Sequence, residues 1–156
     1  MLSKKAQYSI LALVKLAKEY NSGPILISSI ANTENIPRKF LEAILFDLKQ
    51  MGILASKKGK GGGYFLIKKP EEINLADIIR HIDGAIALIP CVTYRYYQPC
   101  QHCKDEVTCG IRSIIKDIRD ETVNILKKIS VADILAREEK LINEHKKNII
   151  INLLFL

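Results

Sequence analysis

Cys91, Cys100, Cys103 and Cys109 are the four cysteines of this 156-residue chain, and they fall within nineteen positions. Thiolates bind soft or borderline metals, mainly zinc and iron–sulfur clusters. The gaps are eight, two and five residues, so only Cys100 and Cys103 form a close Cys-x-x-Cys pair. A structural zinc site ordinarily has two such pairs, so the spacing leaves zinc open without favouring it. Lys4 and Lys5 precede apolar residues, but no small-residue cleavage site follows Leu11 to Ala17, so the segment reads as a helix and not an export signal. A cytoplasmic location is therefore expected, and clustered thiols there favour metal or redox chemistry over structural disulfides. Arg95, Lys104 and Arg112, with a helix starting at Gly110, would lower thiolate pKa values and offset the negative charge of a cluster. His102 lies inside the close pair and is either a ligand or an exposed loop histidine without a role.

The elements that must hold this loop are helical. From Gly110 onward Ile111, Ile114, Ile115, Ile118, Thr122, Ile125, Leu126 and Ile129 recur at intervals of three and four. So long a stripe on so small a body predicts packing against a second copy, the other reading being a helix folded back on its own head. Upstream, Asn74-Leu75-Ala76-Asp77 has the form of a helix cap, and Leu75, Ile78, Ile79 and Ile82 continue a short helix to Gly84. The loop then runs from Ile89 to Thr108. A last helix is expected from Val131 to about Asn148, ahead of an apolar tail that is a candidate cover for a dimer seam. That tail, Ile149 to Leu156, is far short of the roughly 20 residues needed to cross a bilayer.

The other chemistry is electrostatic. The net charge of +7 is uneven: residues 1–69 carry 12 Lys and Arg against 4 Asp and Glu, a net of +8, and residues 70–156 carry 12 against 13, a net of −1. A basic half beside a neutral half predicts a polyanion-binding head on a neutral body. Within that head, Ala6, Ile10, Leu13, Val14 and Ala17 mark a helix over Ser3 to Tyr20, stopped by Asn21-Ser22-Gly23-Pro24. A short apolar unit, Ile25 to Ala31, and a polar turn follow. Pro37 then suits the first turn of a third helix with Phe40, Leu41, Ile44, Leu45 and Leu48 as its buried stripe and Gly52 as its C-terminal cap. Ile53 to Ser56 and Tyr64 to Ile67 read as two strands of a hairpin whose tip, Lys57 to Gly63, is basic and glycine-rich.

Three helices followed by a basic hairpin describe a winged helix-turn-helix, whose third helix enters the DNA major groove. The predicted fold is mainly α with a small β-hairpin wing: a head over residues 1–70, and a cysteine loop with a long dimerisation helix over 71–156. Arg38, Lys39 and Lys49 avoid the apolar stripe, and Lys57, Lys58 and Lys60 crowd the wing, so both groups are available to phosphates or base edges. Ser28, Ser29, Asn35 and Arg38 are the candidates for reading a base edge. The glycines are followed by no helix N-terminus and no Gly-Lys-Ser/Thr sequence, which disfavours a phosphate-cradling loop. These lysines flank no exposed apolar helix stripe that could insert, which disfavours a membrane partner. Catalysis finds no support: Cys100-Gln101-His102-Cys103 has the outline of an oxidoreductase motif, but no βαβ pattern surrounds it, and no serine–histidine–acid or paired-carboxylate set is present.

With these residues in view, the chain resembles the Rrf-two family of winged-helix transcription regulators over about residues 2 to 135. The resemblance is carried by Leu2-Ser3-Lys4-Lys5-Ala6-Gln7-Tyr8, Ile30-Ala31, Ile36 to Leu45, Leu48-Lys49, Gly52-Ile53-Leu54, Gly59, Gly61 to Tyr64, and Leu75-Ala76-Asp77-Ile78. It implies a homodimer crossed by the long helix, bound to a palindromic operator in double-stranded DNA, and adds Gly62 and Tyr64 of the wing to the DNA-binding set. Cluster-binding members carry three cysteines in this loop, and Cys103 with Cys109 keeps the gap of the last two. Cys91 would be the first, and Cys100 an extra ligand or the true middle one. Where some members have a histidine this chain has Arg112, and where others bring a carboxylate from the first helix the matching position is Gln7. The fourth cysteine would compensate, giving an all-thiolate 2Fe–2S or 4Fe–4S site that senses redox state, nitric oxide or iron–sulfur status. The alternative is the same DNA-binding regulator without a cluster, using zinc or free thiols to sense oxidants or cysteine metabolism.

Overall fold

The computed structural model of the chain describes residues 2–154, with side chains as far as Lys147. Ser3 opens the first helix, α1 (Lys4–Lys18), by accepting the Ala6 amide on its hydroxyl at 3.0 Å. A short α2 (Ile27–Thr33) buries Ile30 and Ala31. The third helix, α3 (Arg38–Gln50), starts directly after Pro37, and Leu41, Ile44, Leu45 and Leu48 are completely enclosed against α1. Each such side chain contributes about 1.5–3 kcal/mol of burial. Phe40 departs from the expected stripe: it is 46% exposed and meets Tyr8 edge-on with ring centroids 5.9 Å apart. It precedes Leu41, and one residue rotates a helical side chain by about 100°, off the buried face. The helix ends as its glycine predicts, with the Gly52 amide donating to the Lys49 carbonyl at 3.0 Å and the Ile53 amide to the Leu48 carbonyl at 3.1 Å.

The hairpin strands, β1 (Leu54–Lys57) and β2 (Gly63–Leu66), pair antiparallel with Leu54 opposite Leu66 and Lys57 opposite Gly63. The hairpin is tied to the head by a bridge in which Ile25 donates to the Tyr64 carbonyl at 2.9 Å and Tyr64 donates to the Ile25 carbonyl at 2.8 Å. Gly63 makes this approach feasible: it has φ +148°, and a Cβ there would stand 2.3 Å from the Ile25 carbonyl oxygen.

A single 3-10 turn at Pro70–Glu72 leads to α4 (Leu75–Ile82), capped by the Asn74 side chain accepting from the Asp77 amide at 3.0 Å. Residues 83–109 form the loop, interrupted by one 3-10 turn at Pro90–Val92. Two long helices follow, α5 (Gly110–Lys128) and α6 (Val131–Leu154). α6 turns back onto α1, burying Val131 and pairing Lys18 with Glu138 at 2.8 Å. Its start is fixed by the Val131 amide on the Ile73 carbonyl (2.9 Å) and the Leu75 amide on the Ile129 carbonyl (3.0 Å). One apolar cluster thus joins α1, α2, α3 and the hairpin to Ile73, Ile78 and Val131. α5 stands outside it: its only buried residue is Arg119, while Ile111, Ile114, Ile118 and Ile125 are exposed. The side chains of the apolar tail, for which cover of a dimer seam is expected, lie outside the described residues. Among the described residues no helix is long and apolar enough to cross a membrane.

Candidate functional site

The cysteine loop is fastened to one face of α5 by two arginines seven residues apart, which places them two helical turns from each other. Arg112 Nε donates to the Cys91 carbonyl at 3.2 Å, and Arg112 lies 3.6 Å from Glu106. Arg119 is 6% exposed and donates to the Val92 carbonyl and to the Tyr94 hydroxyl (3.2 Å), with its guanidinium carbon 4.5 Å from the Tyr94 ring centroid. Asp120 balances its charge at 2.5 Å. A buried guanidinium without such partners would be strongly destabilising, so these contacts hold the Pro90–Val92 turn and its buried Cys91 in place.

Cys109 is the N-cap of α5, its sulfur accepting the Arg112 amide at 3.5 Å. That amide, with a hydrogen bond from Cys103, draws the Cys109 thiol below the usual range. Cys103 moves the opposite way, held above its ordinary value by the hydrogen bond to Cys109 and by burial, and its sulfur lies 3.2 Å from the Asp105 carbonyl. Tyr97 donates its hydroxyl to Glu106, which raises the phenol's pKa. All four cysteines are free thiols. The fold brings Cys103 and Cys109 together and links the Cys91 backbone to the same helix end through Arg112. Cys100 and His102 are exposed, and among the described residues no three potential ligands converge.

On the head, Ser28, Ser29, Asn35, Arg38 and Lys39 are exposed. Arg38 pairs with Glu42 at 3.3 Å, and Lys49 donates to the Ser56 hydroxyl at 2.9 Å, linking the last turn of α3 to β1. Lys57, Lys58 and Lys60 are exposed on the hairpin. Gly62 is buried in the turn, its amide donating to the Gly59 carbonyl at 2.9 Å, and half-buried Tyr64 carries the bridge to Ile25. Sequence reasoning missed Arg119 and the clamp it forms. The available signal was an arginine pair at positions i and i+7 on a helix otherwise patterned by isoleucine.

Over residues 2–137 the sequence matches Rrf2, the iron-dependent transcriptional regulators. The chain belongs to the Rrf2 family. An rrf2-like HTH-type transcriptional regulator of Rhodobacter capsulatus is 36% identical over 139 residues, covering 87% of this chain and 93% of the relative. CymR of Bacillus subtilis is 33% identical over 121 residues, 78% of this chain and 84% of the relative. The solved structure of CymR, the global cysteine regulator of B. subtilis, is similar with a TM-score of 0.73 at 27% identity, covering 88% of this chain and 97% of that one. T. potens IscR is similar with a TM-score of 0.71 at 25% identity and 90% coverage of both chains. These relatives are transcriptional regulators and not enzymes, and this Rrf2 protein is a transcriptional regulator related to CymR and IscR. The mainly helical fold with its two-stranded hairpin is that of these neighbours.

Proposed function

We propose that this Rrf2 regulator binds a palindromic operator in double-stranded DNA as a homodimer, and that the cysteine loop is its sensor. Residues 1–70 form the DNA-binding head and residues 71–156 the sensing and dimerising half. Arg38, Lys39 and Lys49 on α3 serve the major groove, with Ser28 beside them, and Lys57, Lys58 and Lys60 meet phosphates from the wing. Gly62 and Tyr64 serve by shaping the hairpin and seating it on the head. The exposed Ile111, Ile114, Ile118 and Ile125 of α5 support a seam with a second copy.

The observation that carries the sensor reading is Cys109 capping the start of α5, with Arg112 tying that helix end to the Cys91 carbonyl. By chemistry the four thiols suit a thiolate-held cluster, with Cys91, Cys100, Cys103 and Cys109 as ligands once the loop draws them together, since no three of them converge among the described residues. Arg112 has no lone pair to offer iron, and the Gln7 side-chain amide is engaged with the Leu2 carbonyl at 3.0 Å. A bound 2Fe–2S or 4Fe–4S cluster would supply redox chemistry and reactivity toward nitric oxide. The chain's own part is mechanical: Cys109 caps α5, while Arg112 and Arg119 fasten the loop to the helix that carries the dimer seam. Any change in the loop reaches the DNA only if the signal binds two arrangements of these contacts unequally. A second reading keeps the same regulator with zinc or free thiols, and Cys109, a partly exposed free thiol capping α5, favours it as a site of thiol oxidation.

Anaerobically purified protein is expected to be coloured and to contain iron and acid-labile sulfide, and colourless protein with stoichiometric zinc would transfer the sensor to the second reading. For the head, Lys58→Ala and Lys60→Ala should each flatten the slope of log affinity against log salt by about one unit. A slope that stays put would mean these lysines are merely solvated.

A further inference from the structure

Between α4, the loop after Cys91 and α5 lies a cleft of about 640 Å³, within the range occupied by small-molecule sites. It contains none of the cysteines. Tyr94 and Tyr96 line it and remain 82% and 64% exposed, an unusual outlay of aromatic surface in a concave place. Arg119 holds the Tyr94 ring, its guanidinium carbon 4.5 Å from the ring centroid, and Tyr96 lies beside Gly84 at the edge of the cleft. Arg80 of α4 and Arg95 of the loop add two further guanidinium groups to the lining, and Met51, the C-cap residue of α3, reaches the same space.

The charges in the cleft do not cancel locally. Asp120 is taken by Arg119 at 2.5 Å. Asp77 accepts the Asn74 side-chain amide at 2.8 Å and leaves Arg80 at 4.0 Å, the limit of an ion pair. Among the described residues Arg95 has no ion-pair partner. Guanidinium groups recognise carboxylates through paired, charge-assisted hydrogen bonds, and exposed tyrosine rings accept a planar apolar body by stacking. We infer that this cleft binds a small organic carboxylate with a planar apolar body. Such a ligand touches the end of α3 through Met51 and the sensor loop through Tyr94, Arg95 and Tyr96, so it joins the two halves of the molecule directly.

The test uses the full chain with 13C-methyl methionine, reading the Met51 methyl resonance, and needs no DNA, so its failure is separate from failure of the DNA-binding reading. Phenylacetate, 4-hydroxybenzoate and indole-3-acetate are titrated against phenylacetamide and acetate. At least one aromatic acid is expected to shift Met51 saturably, with phenylacetamide and acetate about ten-fold weaker or worse, the worth of a charge-assisted hydrogen bond. Arg95→Ala and Arg80→Ala, both at exposed side chains, should each weaken that acid about ten-fold while leaving the thermal midpoint in place. The inference is overturned if none of the three acids moves Met51, if acid and amide act alike, or if the acid binds Arg95→Ala as it binds the native chain.

Discussion

The head and the cysteine loop are built by opposite means. In the head, Leu13, Leu41, Ile44, Leu45 and Leu48 are wholly enclosed, and the wing is locked on by a backbone bridge. Between residues 83 and 109 only Cys91 and Val92 are buried, and the loop is held by directional bonds from Arg112 and Arg119. Apolar packing distributes stability over many weak contacts, so the head keeps one shape. From Cys91 onward the loop hangs on two guanidinium groups, so it can be re-set by anything that competes for them, at a small cost in global stability. That difference suits a rigid DNA-reading part and an adjustable sensing part.

The largest effect expected from breaking this contrast lies in the head. Leu45→Ala should lower unfolding free energy by about 2–5 kcal/mol in denaturant titrations, because the side chain is enclosed and leaves a cavity. Arg119→Met should cost less, about 1–3 kcal/mol, mostly by stranding the Val92 carbonyl. Its signature is local: amide exchange should accelerate from Val92 to Tyr97 while α1 and α3 stay protected. Uniform loss of protection in Arg119→Met would mean that loop and head are one cooperative unit.

The same contrast explains what could be read from the sequence. α3 was legible because its apolar residues recur with the helical period, and Gly52 marks its end through a cap that the backbone completes. The hairpin was legible from its glycine-rich tip, to within one residue at each strand end. Phe40 was misplaced because hydrophobicity alone does not fix azimuth on a helix. The loop was legible in its chemistry, four thiols, but not in its geometry. Its anchoring acceptors are the carbonyls of Cys91 and Val92, which every residue type possesses, and its anchoring donor Arg119 reads as a solvated charge until the loop lies over it. The opposite behaviour of Cys103 and Cys109 depends on which sulfur caps α5, a matter of position that the five-residue gap cannot express.

The smallest effect sharpens the contrast away from the loop, where α6 begins and its Val131 enters the head's apolar cluster. The Ser130 amide and hydroxyl donate to one Asp133 oxygen at 2.8 and 2.7 Å, and the Asp133 amide donates back to Ser130 Oγ at 3.2 Å, a reciprocal cap. The Ser130 amide, then its hydroxyl, then Arg137 hold the Asp133 carboxyl below its ordinary value. A carboxyl with a depressed pKa in the fold binds its proton less readily than in the unfolded chain. Its stabilisation is therefore complete above the ordinary carboxylate pKa, about 4, and is lost as the pH falls through the lower folded value. Asp133→Asn keeps one acceptor oxygen but abolishes the charge. The gap between native and variant urea midpoints should accordingly be constant at neutral pH and close below about pH 4. Exchange protection of residues 94–97 should not follow it, since nothing in the loop touches this cap. A gap independent of pH would mean that Asp133 works as a hydrogen-bond acceptor alone, and a loop that loosened in step with it would join the two regions that their construction separates.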